Sequence, residues 1–433
     1  MISRQRNPPG LVPTLGSPSE LTLETVLLFV LGLFMLIFGL LQFALRTGAL
    51  PFNPGGMYGL LLVLISLLII TIGKTPFGTF RRTRLMILAG MCTAVLGTIS
   101  CFIPGVLDEI IRGLAGLLLC TSGSIRLVQL VVHKKKAQRW IRFPGILRHL
   151  TISCGLVYLT WSASGIVLLF PGLAGDKFPA FLSVFLGICF FYLAWCMQRV
   201  WLLYHSQKPG EEIRGKNSIH PRVQKWFLLQ EAHIPPGIVF MLLLSIIFIL
   251  FAVLLIPVYL GIIPFSRDSQ FGLLMVLMAV QVLSLGKTPF GIYTRSWPLM
   301  ILGAIVITLG MYASIVPGLI TGWMLIPLGI YNLLTGSVGL GRLIRPLLLS
   351  ELSSSDRTVS SCLKGKKFLV TIVLVYLSTL VFGLNVLLPA LIPDIMVLIL
   401  LFVLGILLLI LAGMMMNHQE IEGEEDDSAG KIA

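Results

Sequence analysis

Phosphate loops, metal centres and catalytic triads each need particular side chains at particular spacings, and this 433-residue chain offers fragments of all three. The string Gly73-Lys74-Thr75-Pro76-Phe77-Gly78 recurs as Gly286-Lys287-Thr288-Pro289-Phe290-Gly291. Gly-Lys-Thr ends a phosphate loop, but such a loop needs another glycine five residues earlier so that backbone N–H groups can cradle phosphate. Leu68 and Gln281 hold those positions, and each follows an apolar helical run where a strand is required. The string reads better as a helix stop. Gly ends the helix, Lys complements the negative end of its dipole, and Pro prevents continuation. Phe77 and Phe290 then sit at a membrane interface. A gate or a partner-docking loop is the competing reading of Gly73, Lys74, Pro76 and Phe77 and their copies Gly286, Lys287, Pro289 and Phe290.

Six cysteines (Cys92, Cys101, Cys120, Cys154, Cys189, Cys196) lie in apolar runs, and Cys362 lies in a loop. None has metal-ligand spacing, so they read as small buried hydrophobes. The six histidines (His133, His149, His205, His220, His233, His418) lie at or beyond the ends of those runs, which argues against haem or metal ligation. Glu24, Asp108, Glu109, Asp176, Asp268 and Asp394 are also near run ends, so no carboxylate is expected at the depth where ion-coupled proteins keep one. Arg126, with Gln129 close by, is the deepest charge and is expected to snorkel to the interface. Gln42, Gln198, Gln281, Asn332 and Asn385 are expected to join helices rather than bind substrate. No Ser/His/Asp, Cys/His or paired-carboxylate set assembles on one membrane face, so the sequence implies no catalytic residues, no cofactor, no metal and no enzyme.

The elements that position these residues follow from composition. Hydrophobic residues make up 56% and charged ones only 12%, which excludes a disordered chain, a soluble multidomain enzyme and a disulfide-stapled domain. About 20 helical residues at 1.5 Å each cross a hydrocarbon core of about 30 Å. Cutting at Pro, Gly and charge clusters predicts an all-α polytopic protein of twelve spans, at 22–45, 57–73, 85–103, 110–132, 150–170, 179–204, 236–260, 270–286, 298–316, 321–343, 368–388 and 394–416. All but four of the 32 Lys and Arg (Arg46, Arg112, Lys177 and Arg267) then fall on one side. The positive-inside rule makes that side cytoplasmic and puts both termini there, in the inner cell membrane. The bilayer is the expected partner, and nucleic acid is not, because the basic residues sit in short juxtamembrane loops. Lys134–Leu150 and His220–His233 mix basic and aromatic residues, either to lie on anionic lipid or as ordinary basic loops.

Residues 1–21 form a cytoplasmic tail in which Ser17-Pro18-Ser19-Glu20 reads as a capping box. Residues 22–204 and 236–416 form two six-span repeats, 205–235 a cytoplasmic linker, and 417–433 an acidic, solvated tail. Gly48, Pro51, Phe52 and Gly59 match Gly261, Pro264, Phe265 and Gly272 at an offset of 213, and Pro104-Gly105 matches Pro317-Gly318. Past a longer loop, Tyr158, Gly165, Pro171 and Gly187 match Tyr376, Gly383, Pro389 and Gly405. An even number of spans per repeat gives both the same orientation, related by a pseudo-twofold along the membrane normal. Within each repeat, Gly90, Gly97, Gly116 and Gly123, and likewise Gly303, Gly310, Gly329 and Gly336, pair two helical turns apart and leave a groove for a neighbouring backbone. A proline at the turn suggests three helical hairpins per repeat.

Six-span units of three hairpins, with paired small residues and a proline at the turn, resemble the HdeD-like family of acid-resistance membrane proteins, most clearly over 85–130 and 298–343. A weaker resemblance is to major facilitator transporters, also six plus six spans, with a Gly/Arg-rich motif after spans two and eight, here Gly73–Arg84 and Gly286–Arg295. The first implies a non-enzymatic inner-membrane protein with an envelope-stress or scaffold role. The second implies a transporter or channel for a neutral or weakly polar solute. A protein partner, if the first holds, is expected at the Lys74 and Lys287 loops.

Overall fold

The computed structural model describes residues 22–48, 50–71, 83–105, 107–132, 145–173, 175, 177–205, 234, 236–284, 287–288, 291–292, 297–318, 321–350, 366–388 and 392–432. Among these, twelve helices appear at the twelve expected places. They are α1 (Leu23–Arg46), α2 (Pro54–Thr71), α3 (Arg84–Phe102), α4 (Asp108–Val132), α5 (Ile146–Leu169), α6 (Phe178–His205), α7 (Pro236–Tyr259), α8 (Arg267–Ser284), α9 (Trp297–Ile315), α10 (Thr321–Ser350), α11 (Lys366–Leu387) and α12 (Asp394–Ile432). A two-residue antiparallel pairing, Lys287 opposite Ile292 and Thr288 opposite Gly291, follows α8.

Local chemistry sets the ends. Thr22 is extended and its side chain accepts from the Thr25 N–H, so it is the N-cap of α1. The capping box expected at Ser17–Glu20 lies outside the described residues. Gly48 and Gly261 have φ of 70° and 69°, and Gly105 and Gly318 have 85° and 87°. These turns need the left-handed region that glycine enters freely, and they recur at the sequence offset of 213. Helix α12 continues through the acidic tail to Ile432.

Eight of the described helices are long and apolar enough to cross a membrane, which makes the chain a multi-pass membrane protein. Large apolar side chains cover its outside, with Ile110, Leu117, Val128 and Val131 of α4 all exposed. Many hydroxyls inside are satisfied locally: Thr93, Thr98, Thr160 and Ser164 donate to carbonyls four residues back. The 18-residue helices α2 and α8 are shorter, about 27 Å. They run through the middle of the bundle, where Leu60, Leu62, Val63 and Leu67 of α2, and Leu273 through Val280 of α8, are buried by other helices rather than by lipid.

Packing corrects the hairpin expectation for α3 with α4 and for α9 with α10. The tightest neighbours are α2 with α3, α4 with α5, and α1 with α6; the second six helices repeat the scheme as α8 with α9, α10 with α11, and α7 with α12. Helices α3 and α4 touch little, and so do α9 and α10. The glycine faces explain why. A Cβ on Gly97 would lie 2.6 Å from the Gly59 carbonyl oxygen, and one on Gly310 would lie 2.7 Å from that of Gly272. Gly90 abuts Ile70 of α2, and Gly303 abuts Leu283 of α8. Gly116 and Gly123 press on Gly165 and Ser162 of α5, while Gly329 and Gly336 press on Gly383 and Leu380 of α11. Each glycine pair thus faces a helix other than its expected hairpin partner. Such close approach maximises van der Waals contact, a main source of helix association in lipid.

Candidate functional site: a sealed seam and the cavities around it

The two sets of six helices meet through α1, α2 and α3 on one side and α7, α8 and α9 on the other. The backbone N–H of Asn53 donates to the Ile315 carbonyl at 3.0 Å, and that of Ser266 donates to the Phe102 carbonyl at 3.1 Å. These are the same bond in two copies, since 53 and 102 each lie 213 residues before 266 and 315. Residues 213 apart also meet one another. The Asn53 side-chain amide donates to the Ser266 hydroxyl at 3.3 Å and to the Ser269 hydroxyl at 2.7 Å. Gly56, the counterpart of Ser269, lies directly against the Ser314 carbonyl and the Ser269 hydroxyl, leaving no room for a side chain. The Cys101 thiol donates to the Gly56 carbonyl, and its counterpart, the Ser314 hydroxyl, faces the Ser269 carbonyl, both at 3.5 Å. Phe102 closes one flank, with its ring 5.0 Å from Phe251 and 5.1 Å from Phe265.

Above this seam lies a cavity of about 730 Å³, lined by Phe52, Asn53, Pro104, Asp108, Phe265, Ser266, Arg267, Asp268 and Pro317. It is the size of a ligand site, which typically runs to about 300–1,000 Å³, but its floor is the seam. Asp268 accepts from the backbone N–H of Gly318. Oδ1 of Asp108 is buried beside Gly55 with no hydrogen-bond partner among the described residues.

Two further cavities occupy equivalent places inside the two sets of helices. The first, about 60 Å³, is lined by Glu24, Ile65, Leu68, Ser122, Arg126, Tyr158, Trp161 and Phe190. The second, about 70 Å³, has Met278, Gln281, Thr335, Tyr376, Thr379 and Leu408 at the matching positions, with Asn332 beside them. Arg126 lines the first cavity, as do Tyr158 and Glu24. The Trp161 indole donates to the Ser122 hydroxyl at 3.0 Å. In the second cavity Gly339 holds the place of Arg126, and the Tyr376 ring fills the space above it. Asn332 is buried and donates to the Leu328 carbonyl at 2.8 Å. Each cavity holds a few waters at most, far below the volume of an ordinary ligand site.

Other candidates are dispersed. Helices α2 and α8 end at Thr71 and Ser284, again 213 residues apart. Gly73, Lys74, Pro76, Phe77, Gly286, Pro289 and Phe290 lie outside the described residues, and Lys287 is described only by its backbone pairing. Cys101, Cys154, Cys189 and Cys196 are buried thiols, Cys120 is half-buried and Cys92 is exposed. The sequence reading missed the seam residues Asn53, Gly56, Ser266 and Ser269, although Phe52 and Phe265 beside them were already matched across the repeat. No family model matches the chain, and neither a curated protein nor a solved structure matches it.

Proposed function

We propose that the chain is a non-enzymatic multi-pass protein of the inner membrane that acts as a scaffold in the envelope. In this reading all twelve helices cross the bilayer as two parallel six-helix repeats, with both termini cytoplasmic. The observation that carries it is the sealed seam. The centre, where a transporter built from two repeats holds its substrate, is filled by hydrogen-bonded backbone, Gly56 and buried apolar side chains. The paired bonds at Asn53 and Ser266 support the twofold relation, and the basic bias of the loops supports the orientation. The HdeD-like resemblance supports a role in envelope stress, with the Lys74 and Lys287 loops as the place for a protein partner.

A second reading, a channel or transporter for a neutral solute, is favoured by one observation: Gln281, Thr335 and Tyr376 place neutral polar groups in the otherwise largely apolar second cavity. Purified protein in liposomes separates the two. The scaffold reading expects no solute accumulation under an imposed pH or sodium gradient and no leak of neutral solutes. Gradient-driven accumulation would overturn it, and a passive leak of a neutral solute would establish the channel.

A further inference from the structure

A stripe of rings and cations lies on the outer face of α6, apart from the seam and the cavities. Tyr192, Trp195 and Arg199 follow one another at three and four residues, so they share one face. The Tyr192 and Trp195 rings stack with centroids 6.0 Å apart and planes 15° apart. The Arg199 guanidinium sits 5.8 Å from the centre of the Trp195 ring, a cation–π distance that holds it in place. At the other end, His149 of α5 shares a 2.7 Å hydrogen bond between Nδ1 and the Tyr192 hydroxyl. In the tautomer where that hydroxyl donates, the Nε2–H is left to donate outward. Arg148, His149, Trp195 and Arg199 are exposed, and neither α5 nor α6 contains an Asp or Glu. The stripe therefore carries donors and positive charge without a countercharge on its own helices.

Its depth is also telling. With 28 residues α6 is about 42 Å long, against a hydrocarbon core of about 30 Å. Arg199 lies six residues from its end, about 9 Å, which brings it to the headgroup boundary. The geometry points to a docking site for the phosphate headgroup of an anionic phospholipid, with its phosphate on Arg199 and its glycerol and upper acyl carbons along Trp195 and Tyr192. This rests on the membrane-spanning reading of α5 and α6. The matching positions of the second repeat are Lys367, Ile410, Gly413 and Asn417. That face has a cation but no aromatic platform, so the site exists once per chain.

Native mass spectrometry of the full chain, with phosphatidylglycerol or phosphatidylcholine of identical acyl chains, tests the site. The wild type should retain phosphatidylglycerol preferentially. Arg199→Gln and Trp195→Leu should each lower that retention, Arg199→Gln by roughly fivefold, the worth of one cation at an anionic surface. Lys367→Gln should leave it unchanged. Unaltered retention in Arg199→Gln, or an equal loss in Lys367→Gln, would overturn the site. Retention of inorganic phosphate as strong as that of phosphatidylglycerol would overturn the choice of ligand. Release of the chain from membranes by a carbonate wash would instead overturn the spanning reading beneath it.

Discussion

The first six helices keep a charge where the second six keep a glycine. Arg126 and Gly339 are equivalent by sequence offset, and so are Glu24 and Gly237. Around them the frames agree: the same helix pairings, the same positive-φ turns and the same glycine contacts. Tyr158 shares a cavity lining with Arg126, whereas its counterpart Tyr376 lays its ring over Gly339. The difference teaches that backbone packing is held in common while the polar lining has diverged. Contacts made by glycine leave no freedom for a side chain, while a small cavity can exchange an arginine for a tyrosine ring without moving a helix.

The largest effect is expected where the two sets of helices touch. Gly56→Val would drive a branched side chain into the Ser314 carbonyl, a backbone group that cannot rotate away. It should cost more than the roughly 1–3 kcal/mol of ordinary overpacking, read as loss of folded protein or a large fall in thermal stability in detergent. Gly97→Leu and Gly310→Leu come next. Their surroundings match, with Gly59, Leu62 and Val63 opposite one and their counterparts Gly272, Met275 and Val276 opposite the other. The two variants should therefore lose similar stability, and a harmless Leu at either site would break the equivalence of the frames.

The cavities sharpen the contrast on a smaller scale. Gly339→Ala should destabilise by about 1–3 kcal/mol because its methyl meets the Tyr376 ring. Arg126→Met removes one polar partnership, and interhelical hydrogen bonds in membranes average about 0.6 kcal/mol. Thermal unfolding of the two variants should thus rank Gly339→Ala below Arg126→Met. The reverse order would mean that the arginine, rather than the ring, organises its cavity.

Much of this architecture was legible in the residues. Twenty-residue uncharged runs and loop charges located all twelve helices because lipid length and the positive-inside rule act on each segment alone. Glycines seven apart, such as Gly90 and Gly97, announced a flat face but not its partner. Choosing α2 over α4 needed the opposing Gly59, a contact between helices that no single-segment pattern encodes. Asn53 and Ser266 escaped notice because their chemistry exists only when the two copies meet, and as isolated residues they are ordinary helix-start side chains. Arg126 was read by depth alone, and its place in a cavity lining shared with Tyr158 joins residues adjacent in space and distant in sequence.

The central claim is that equivalent residues of the two repeats meet at a closed seam. Cysteine cross-linking in native membranes tests it most directly, using Asn53→Cys with Ser266→Cys in a chain whose seven native cysteines are replaced by alanine or serine. The native side chains at these positions stand 3.3 Å apart, so the account predicts rapid intramolecular linkage by a mild oxidant or the shortest bifunctional maleimide. The same reagents should leave a control pair, Asn53→Cys with Trp195→Cys, unlinked. Failure of the first pair to link in folded protein, or linkage only between separate chains, would contradict the seam.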